Sequence, residues 1–151
     1  MAIPQLTPDF SEFLKLLNSA GVEYLLVGGY AVGIHGYVRA TGDLDIWIRI
    51  SPGNARATET ALRQFGFAVP GLSEALFLEQ NSVIRMGLPP MRLEVLTSIS
   101  GVDFDDCYPE RLIVQIDGVD IPVISLDRLR QNKRAAGRAK DLADLENLPQ
   151  A

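Results

Sequence analysis

Residues 43–50 read DLDIWIRI, an alternation that puts Leu44, Ile46, Ile48 and Ile50 on one face of an extended strand and Asp43, Asp45, Trp47 and Arg49 on the other. Both aspartates therefore point the same way. Upstream, residues 23–27 (EYLLV) form a short apolar run that ends at Gly28-Gly29, and YAVGIHG behind it predicts a short helix packed through Ala31 and Ile34. Downstream, Ser51-Pro52 caps a helix carrying Ala55, Thr58, Ala61, Leu62 and Phe65, which Gly66 stops. The order is strand, glycine pair, helix, acidic strand, helix.

The remaining segments extend this pattern. Thr7-Pro8 opens an amphipathic helix with Phe10, Phe13, Leu14 and Leu17 on one stripe, ending before Gly21. Residues 83–86 and 92–97 read as strands separated by Pro89-Pro90, and the stretch 71–80 reads as neither helix nor strand. Asp117-Gly118 between residues 112–116 and 119–124 signals a two-residue hairpin, after which Ser125 caps a helix to about Ala136 and a last helix follows Gly137. Strands and helices without regular alternation predict an α+β chain, a mixed and partly antiparallel sheet flanked by helices. With no repeat or linker, residues 1–151 are expected to form one domain.

Composition excludes several classes. One cysteine (Cys107) and one histidine (His35) rule out an internal disulfide and a zinc site of the usual ligand types. No apolar run approaches the roughly 18 residues of a membrane span, and the start, MAIPQLTPDFSEF, lacks the basic-then-apolar pattern of a secretory signal. No membrane partner and a cytoplasmic location are expected. The net charge of -5 argues against general coating of nucleic acid. Six of the basic residues nevertheless fall between Arg128 and Lys140 beside one acid, Asp127, which suggests a local anion site.

Two carboxylates at i and i+2 of a strand have Cβ atoms roughly 6–7 Å apart, a spacing at which a divalent cation fits between their oxygens. Asp43 and Asp45 therefore admit two readings, a solvated face of an edge strand or a metal site. Gly28-Gly29 likewise reads as a plain tight turn or as a place where phosphate meets unobstructed backbone N–H groups. A two-metal site for in-line displacement at phosphorus wants a third acid. Glu94, between Leu93 and Val95 in RLEVLT, is the best placed; Asp103, Asp105 and Asp106 sit in a stretch that reads as a loop or helix start, where acids serve as caps.

Gly28-Gly29 followed by Asp43-Leu44-Asp45-Ile46 resembles the signature of the DNA polymerase beta type nucleotidyltransferase superfamily, with Glu94 matching its third acid. The run GGYAVGIHGYVRATGDLDI is most similar to the small bacterial branch that includes toxin-type abortive-infection nucleotidyltransferases. In KRAAGRAKDLADL, Lys133, Arg138, Lys140, Asp141 and Asp144 resemble that branch's C-terminal motif. The resemblance implies a nucleotidyltransferase-like fold that binds a nucleoside triphosphate with Mg²⁺, two ions in all, and transfers the nucleoside monophosphate to a hydroxyl of RNA, a protein or a small molecule. It implies metal ligation and catalysis by Asp43, Asp45 and Glu94, and triphosphate contacts at Gly28, Gly29, Arg39, Thr41 and Lys133. Asp141 would either orient Lys133 or bind substrate.

Some residues keep two readings. Arg39 reads as a phosphate contact or a loop salt bridge, Trp47 as a base-stacking surface or a residue packed beneath a helix, and His35 as a satisfied turn residue. Larger family members carry extra domains for acceptor recognition, so a homodimer or a protein partner is expected to complete acceptor choice here. A non-catalytic nucleotide-binding or antitoxin-like module is the alternative reading, and three intact acids weigh against it.

Overall fold

In a computed structural model that describes residues 6–88 and 92–150, six strands form one mixed sheet flanked by helices, the α+β architecture expected. Helix α1 (Pro8–Ser19) begins where Phe10 N–H donates to Thr7 Oγ1 (3.2 Å), and it buries Phe10, Phe13, Leu14 and Leu17. Strand β1 (Tyr24–Val27) is buried along its whole length and runs directly into α2 (Gly28–Ile34). The acidic strand β2 spans Asp43–Ile48, so Arg49 and Ile50 fall outside it. Helix α3 (Pro52–Phe65) is capped by Ser51 and closed by Gly66 at φ 108°, and Phe65 meets Phe13 of α1 edge-on at 5.3 Å.

The ambiguous stretch resolves into a single 3-10 turn, Glu74–Phe77, which buries Phe77. Strands β3 (Val83–Met86) and β4 (Arg92–Leu96) pair antiparallel; the expected separator Pro89-Pro90 lies outside the described residues. A short helix α4 (Phe104–Cys107) begins after Asp103, where the sequence reads as a loop or helix start. Strands β5 (Leu112–Ile116) and β6 (Val119–Val123) form the expected hairpin, with Asp117 and Gly118 both at positive φ. Helices α5 (Leu126–Ala136) and α6 (Ala139–Asn147) are divided by Gly137 in the left-handed conformation.

Sheet order is β3-β4-β2-β1-β6-β5. Strands β1 and β2 run antiparallel, whereas β2 with β4 and β1 with β6 run parallel. Strand β2 is therefore central. Its Leu44, Ile46 and Ile48 are fully buried, each contributing about 1.5–3 kcal/mol. On the strand's other face Trp47 is 1% exposed and packs edge-on to Phe104 of α4 at 5.2 Å, so it packs beneath a helix and presents no stacking surface. Among the described residues no helix is long and apolar enough to cross a membrane.

Candidate functional site

Parallel pairing of β2 with β4 sets Asp43 opposite Arg92 and Asp45 opposite Glu94. Side chains in register on neighbouring strands share a face, so Glu94 joins the two aspartates. One oxygen from each of Asp43, Asp45 and Glu94 lies within 4.8 Å of the other two, a donor set that suits a divalent cation. Among the described residues no other trio of His, Cys, Asp or Glu gathers this way. Asp103, Asp105 and Asp106 stay apart, and Asp105 pairs instead with Arg49.

The three acids line a cleft of about 740 Å³. Gly28, Gly29, Arg39 and Thr41 form one wall; Lys133, Arg138 and Lys140 form another; Arg85 stands on a third. Gly28 has φ 70°, and a Cβ on it would overlap the Asp45 carboxylate, standing 2.9 Å from Cγ and 3.0 Å from Asp45 Cβ. A Cβ on Gly29 would fall 2.8 Å from Thr41 Cβ. The glycine pair is thus required by close packing against the acidic strand and the Thr41 loop, a stricter demand than a plain turn.

Asp45 is the electrostatic centre of the cleft. Its Oδ1 is buried and, among the described residues, has no hydrogen-bond partner. Burial first, then a hydrogen bond shared with Glu94, then repulsion from Glu94 and Asp43 push its carboxyl up to about 8. A divalent cation among these oxygens would relieve the repulsion among all three acids. The orphaned oxygen and the hard carboxylate donors fit such an ion.

The other two acids carry counter-charges. Arg92 is bidentate on Asp43, with Nε at 2.9 Å and a terminal nitrogen at 3.0 Å, and Arg85 Nε donates to Glu94 Oε1 at 2.7 Å. Sequence reading missed both arginines, because the pairing arises from cross-strand register. Nothing local to either residue marks it.

Behind the second wall lies a buried charge network. Lys133, with a side chain 6% exposed, stands 3.2 Å from Asp141 and 3.1 Å from Asp144, whose side chains are each 1% exposed. Arg138 donates to Asp141, and Arg39 grips Asp144 through Nε (2.7 Å) and a terminal nitrogen (2.8 Å). Burial pushes both carboxyls up, but hydrogen bonds from Arg138 and Lys133 to Asp141, and from Arg39 and Lys133 to Asp144, leave each below its ordinary value. Arg39 is therefore both a salt-bridge residue and part of the cleft wall. Asp141 lies beneath Lys133, and its side chain also accepts from the Arg138 backbone N–H (3.2 Å) where α6 begins.

The basic segment is largely neutralised from within. Arg128 is paired with Glu110, Arg130 donates to the Leu145 and Pro149 carbonyls, and Lys133 and Arg138 belong to the network. Among the described residues only Arg134 and Lys140 of this segment lack an ion pair or a side-chain hydrogen bond, and of these two Lys140 lines the cleft, together with Lys133 and Arg138. His35 Nε2 lies 2.7 Å from the Ile124 carbonyl oxygen and donates to it, the satisfied turn residue foreseen.

No protein-family model matches the chain, and no curated protein matches it. Solved structures that share its fold include the following two. A candidate nucleotidyltransferase (TM1012) from Thermotoga maritima superposes with a TM-score of 0.62 at 18% identity, covering 91% of this chain and 88% of its own. An antigenic nucleotidyltransferase-like protein from Paracoccidioides brasiliensis superposes with a TM-score of 0.55 at 20% identity, covering 95% of this chain and 77% of its own. The fold is therefore nucleotidyltransferase-like, and an acidic trio able to hold a metal ion lies in its cleft.

Proposed function

We propose that residues 1–151 form one nucleotidyltransferase unit that moves a nucleoside monophosphate from a nucleoside triphosphate to an acceptor hydroxyl, releasing pyrophosphate. The observation that carries this reading is the convergence of Asp43, Asp45 and Glu94 around the orphaned Asp45 oxygen in an open cleft. Asp43, Asp45 and Glu94 would hold Mg²⁺, two ions by the two-metal precedent. When bound, the metal supplies neutralisation of the charge that builds on the α-phosphate and the leaving pyrophosphate.

The chain's own residues do the rest by positioning. Gly28 and Gly29, which bring backbone close beside Asp45, receive the triphosphate together with Arg39, Thr41 and Lys133. Lys133 has three donors and gives two to Asp141 and Asp144, leaving one for phosphate. Asp141 is a positioning residue that orients Lys133. The acceptor oxygen forms a bond to the α-phosphorus as the bond to the α,β-bridging oxygen breaks, and the hydroxyl proton passes to Glu94.

The acceptor is RNA, a protein or a small hydroxylated molecule, recognised with help from a second copy or a protein partner in the cytoplasm. Kinship with the toxin-type branch belongs to this proposal too, on the C-terminal Lys133, Arg138 and Asp141 pattern. Incubation with Mg²⁺ and each labelled nucleoside triphosphate, with transfer RNA among the acceptors, tests the reading. Label transfer that falls about a hundredfold or more in Asp45→Ala is expected. Absence of both transfer and triphosphate binding in the wild type overturns it.

A further inference from the structure

We propose that Arg85 is a substrate-binding residue of this cleft, held in reserve on Glu94 until a metal-bound polyphosphate arrives. The inference rests on the nucleotidyltransferase reading and adds to it a ligand on the wall that no motif marked.

The cations of the cleft differ in how firmly they are held. Arg39 and Lys133 are fixed by the buried carboxylates of Asp144 and Asp141, and freeing either would strand a buried charge. Arg85 is held by a single contact, Nε to Glu94 Oε1, and its side chain is 65% exposed. Only the arginine end of this pair is exposed, the Glu94 side chain being 14% exposed, but one hydrogen bond anchors Arg85 where two hold Arg39 and two hold Lys133, so Arg85 is the most readily exchanged of the three. Among the described residues the two terminal nitrogens of Arg85 have no partner, and the residue lines the cleft. A guanidinium with its fork open toward a cavity matches the geometry of phosphate oxygens.

Sheet order places Arg85 where it complements the known cations. The glycine pair adjoins β1, on one side of the acidic strand; Arg85 stands on β3, beyond β4, on the other. Two strand spacings, roughly 10 Å, separate it from β2, a span that an extended arginine covers for the most part. A metal ion that takes Glu94 as a ligand repels the cation now paired with it and weakens that pair. A bare ion therefore competes with Arg85, whereas an ion arriving on a triphosphate brings Arg85 a new anion. Arg85 then grips the α-phosphate side, away from the pyrophosphate held by the glycine wall.

This handover predicts effects of opposite sign, which a merely structural arginine does not produce. Mn²⁺ alone and a non-hydrolysable triphosphate at saturating Mn²⁺ are titrated calorimetrically into wild type, Arg85→Gln, Arg85→Lys and Asp45→Ala, with folding checked by circular dichroism. In Arg85→Gln, bare Mn²⁺ is expected to bind about two- to fivefold tighter and the triphosphate about tenfold weaker. Arg85→Lys, which keeps the charge without the fork, is expected to return Mn²⁺ affinity toward the wild-type value and leave triphosphate binding weak. If wild type binds both ligands and Arg85→Gln shifts them in the same direction or not at all, the role of Arg85 is overturned alone. If wild type binds neither, the nucleotidyltransferase reading falls with it.

Discussion

Gly28 offers the sharpest test of how the fold builds the cleft, because Gly21 supplies an internal control. The two residues have nearly the same backbone, φ 70° and 72°, yet a Cβ on Gly21 meets nothing within 4 Å whereas one on Gly28 overlaps Asp45. Alanine at Gly21 therefore reports the left-handed strain alone, about 1–2 kcal/mol, reduced by the 0.4–1 kcal/mol that alanine removes from unfolded-chain entropy. Midway through both ranges the net is about 0.8 kcal/mol, or roughly 2–3 °C in Tm for a chain of this size. Alanine at Gly28 adds the collision. Rotation of the carboxylate cannot relieve it, because Asp45 Cβ itself stands 3.0 Å away on a strand fixed by Leu44 and Ile46. Backbone must shift, at a further cost of about 1–3 kcal/mol, the range for overpacking a close-packed site. Thermal melts of Gly21→Ala and Gly28→Ala, with Mn²⁺ titration of each, are the assay. Gly28→Ala should lose at least twice the Tm of Gly21→Ala and bind Mn²⁺ at least tenfold more weakly, while Gly21→Ala binds it as wild type does. Equal Tm losses, or unchanged Mn²⁺ affinity in Gly28→Ala, would show that the glycine does not seat Asp45.

Two further outcomes follow from the charges. Asp45, pushed up to about 8 by burial and its acidic neighbours, holds a proton in the folded chain that the unfolded chain has already lost above an ordinary value of 3.8. That contribution to stability is fully present below about 4 and is lost as pH rises through about 8, so the metal-free protein should weaken across this window. Mg²⁺ should raise Tm more at pH 8.5 than at pH 6, and Asp45→Asn should flatten the metal-free pH dependence; equal Mg²⁺ effects at both pH values would contradict the assignment. Lys133→Met leaves Asp141 and Asp144 buried with one cation fewer, and urea unfolding should show a loss of about 3–5 kcal/mol. A loss below about 1 kcal/mol would mean that Arg39 and Arg138 suffice to neutralise the pair.

Much of the fold was legible because its signals are local. Alternation in DLDIWIRI fixed which residues of β2 face the core; Thr7, Ser51 and Ser125 marked helix starts, and Gly66, Gly137 and Asp117-Gly118 marked ends and a turn. Each depends on contacts within a few residues. The 3-10 turn at Glu74–Phe77 was not legible and helix α4 showed only as a loop or helix start, since both are shorter than a helical pattern needs to show itself. Trp47 kept two readings in the sequence because alternation assigns a face without saying what covers it, and Phe104 of α4 covers it.

The candidate site divides along the same line. Residue types and spacing placed Asp43 with Asp45 on one face and singled out Glu94 as the third acid, whereas the packing of Gly28 against Asp45 follows from the antiparallel pairing of β1 with β2. Whether Glu94 meets them depended on β4 lying parallel beside β2 with Asp45 opposite Glu94, a register set by sheet topology across a separation of 49 residues. The same topology brought Arg85 and Arg92 onto the acids and buried Asp141 and Asp144 beneath Lys133. Periodicity and caps are properties of one segment, so sequence determines them. Charge pairing and burial are properties of how segments meet, so the tertiary structure decides which carboxylates face the cleft and which hold its cations in place.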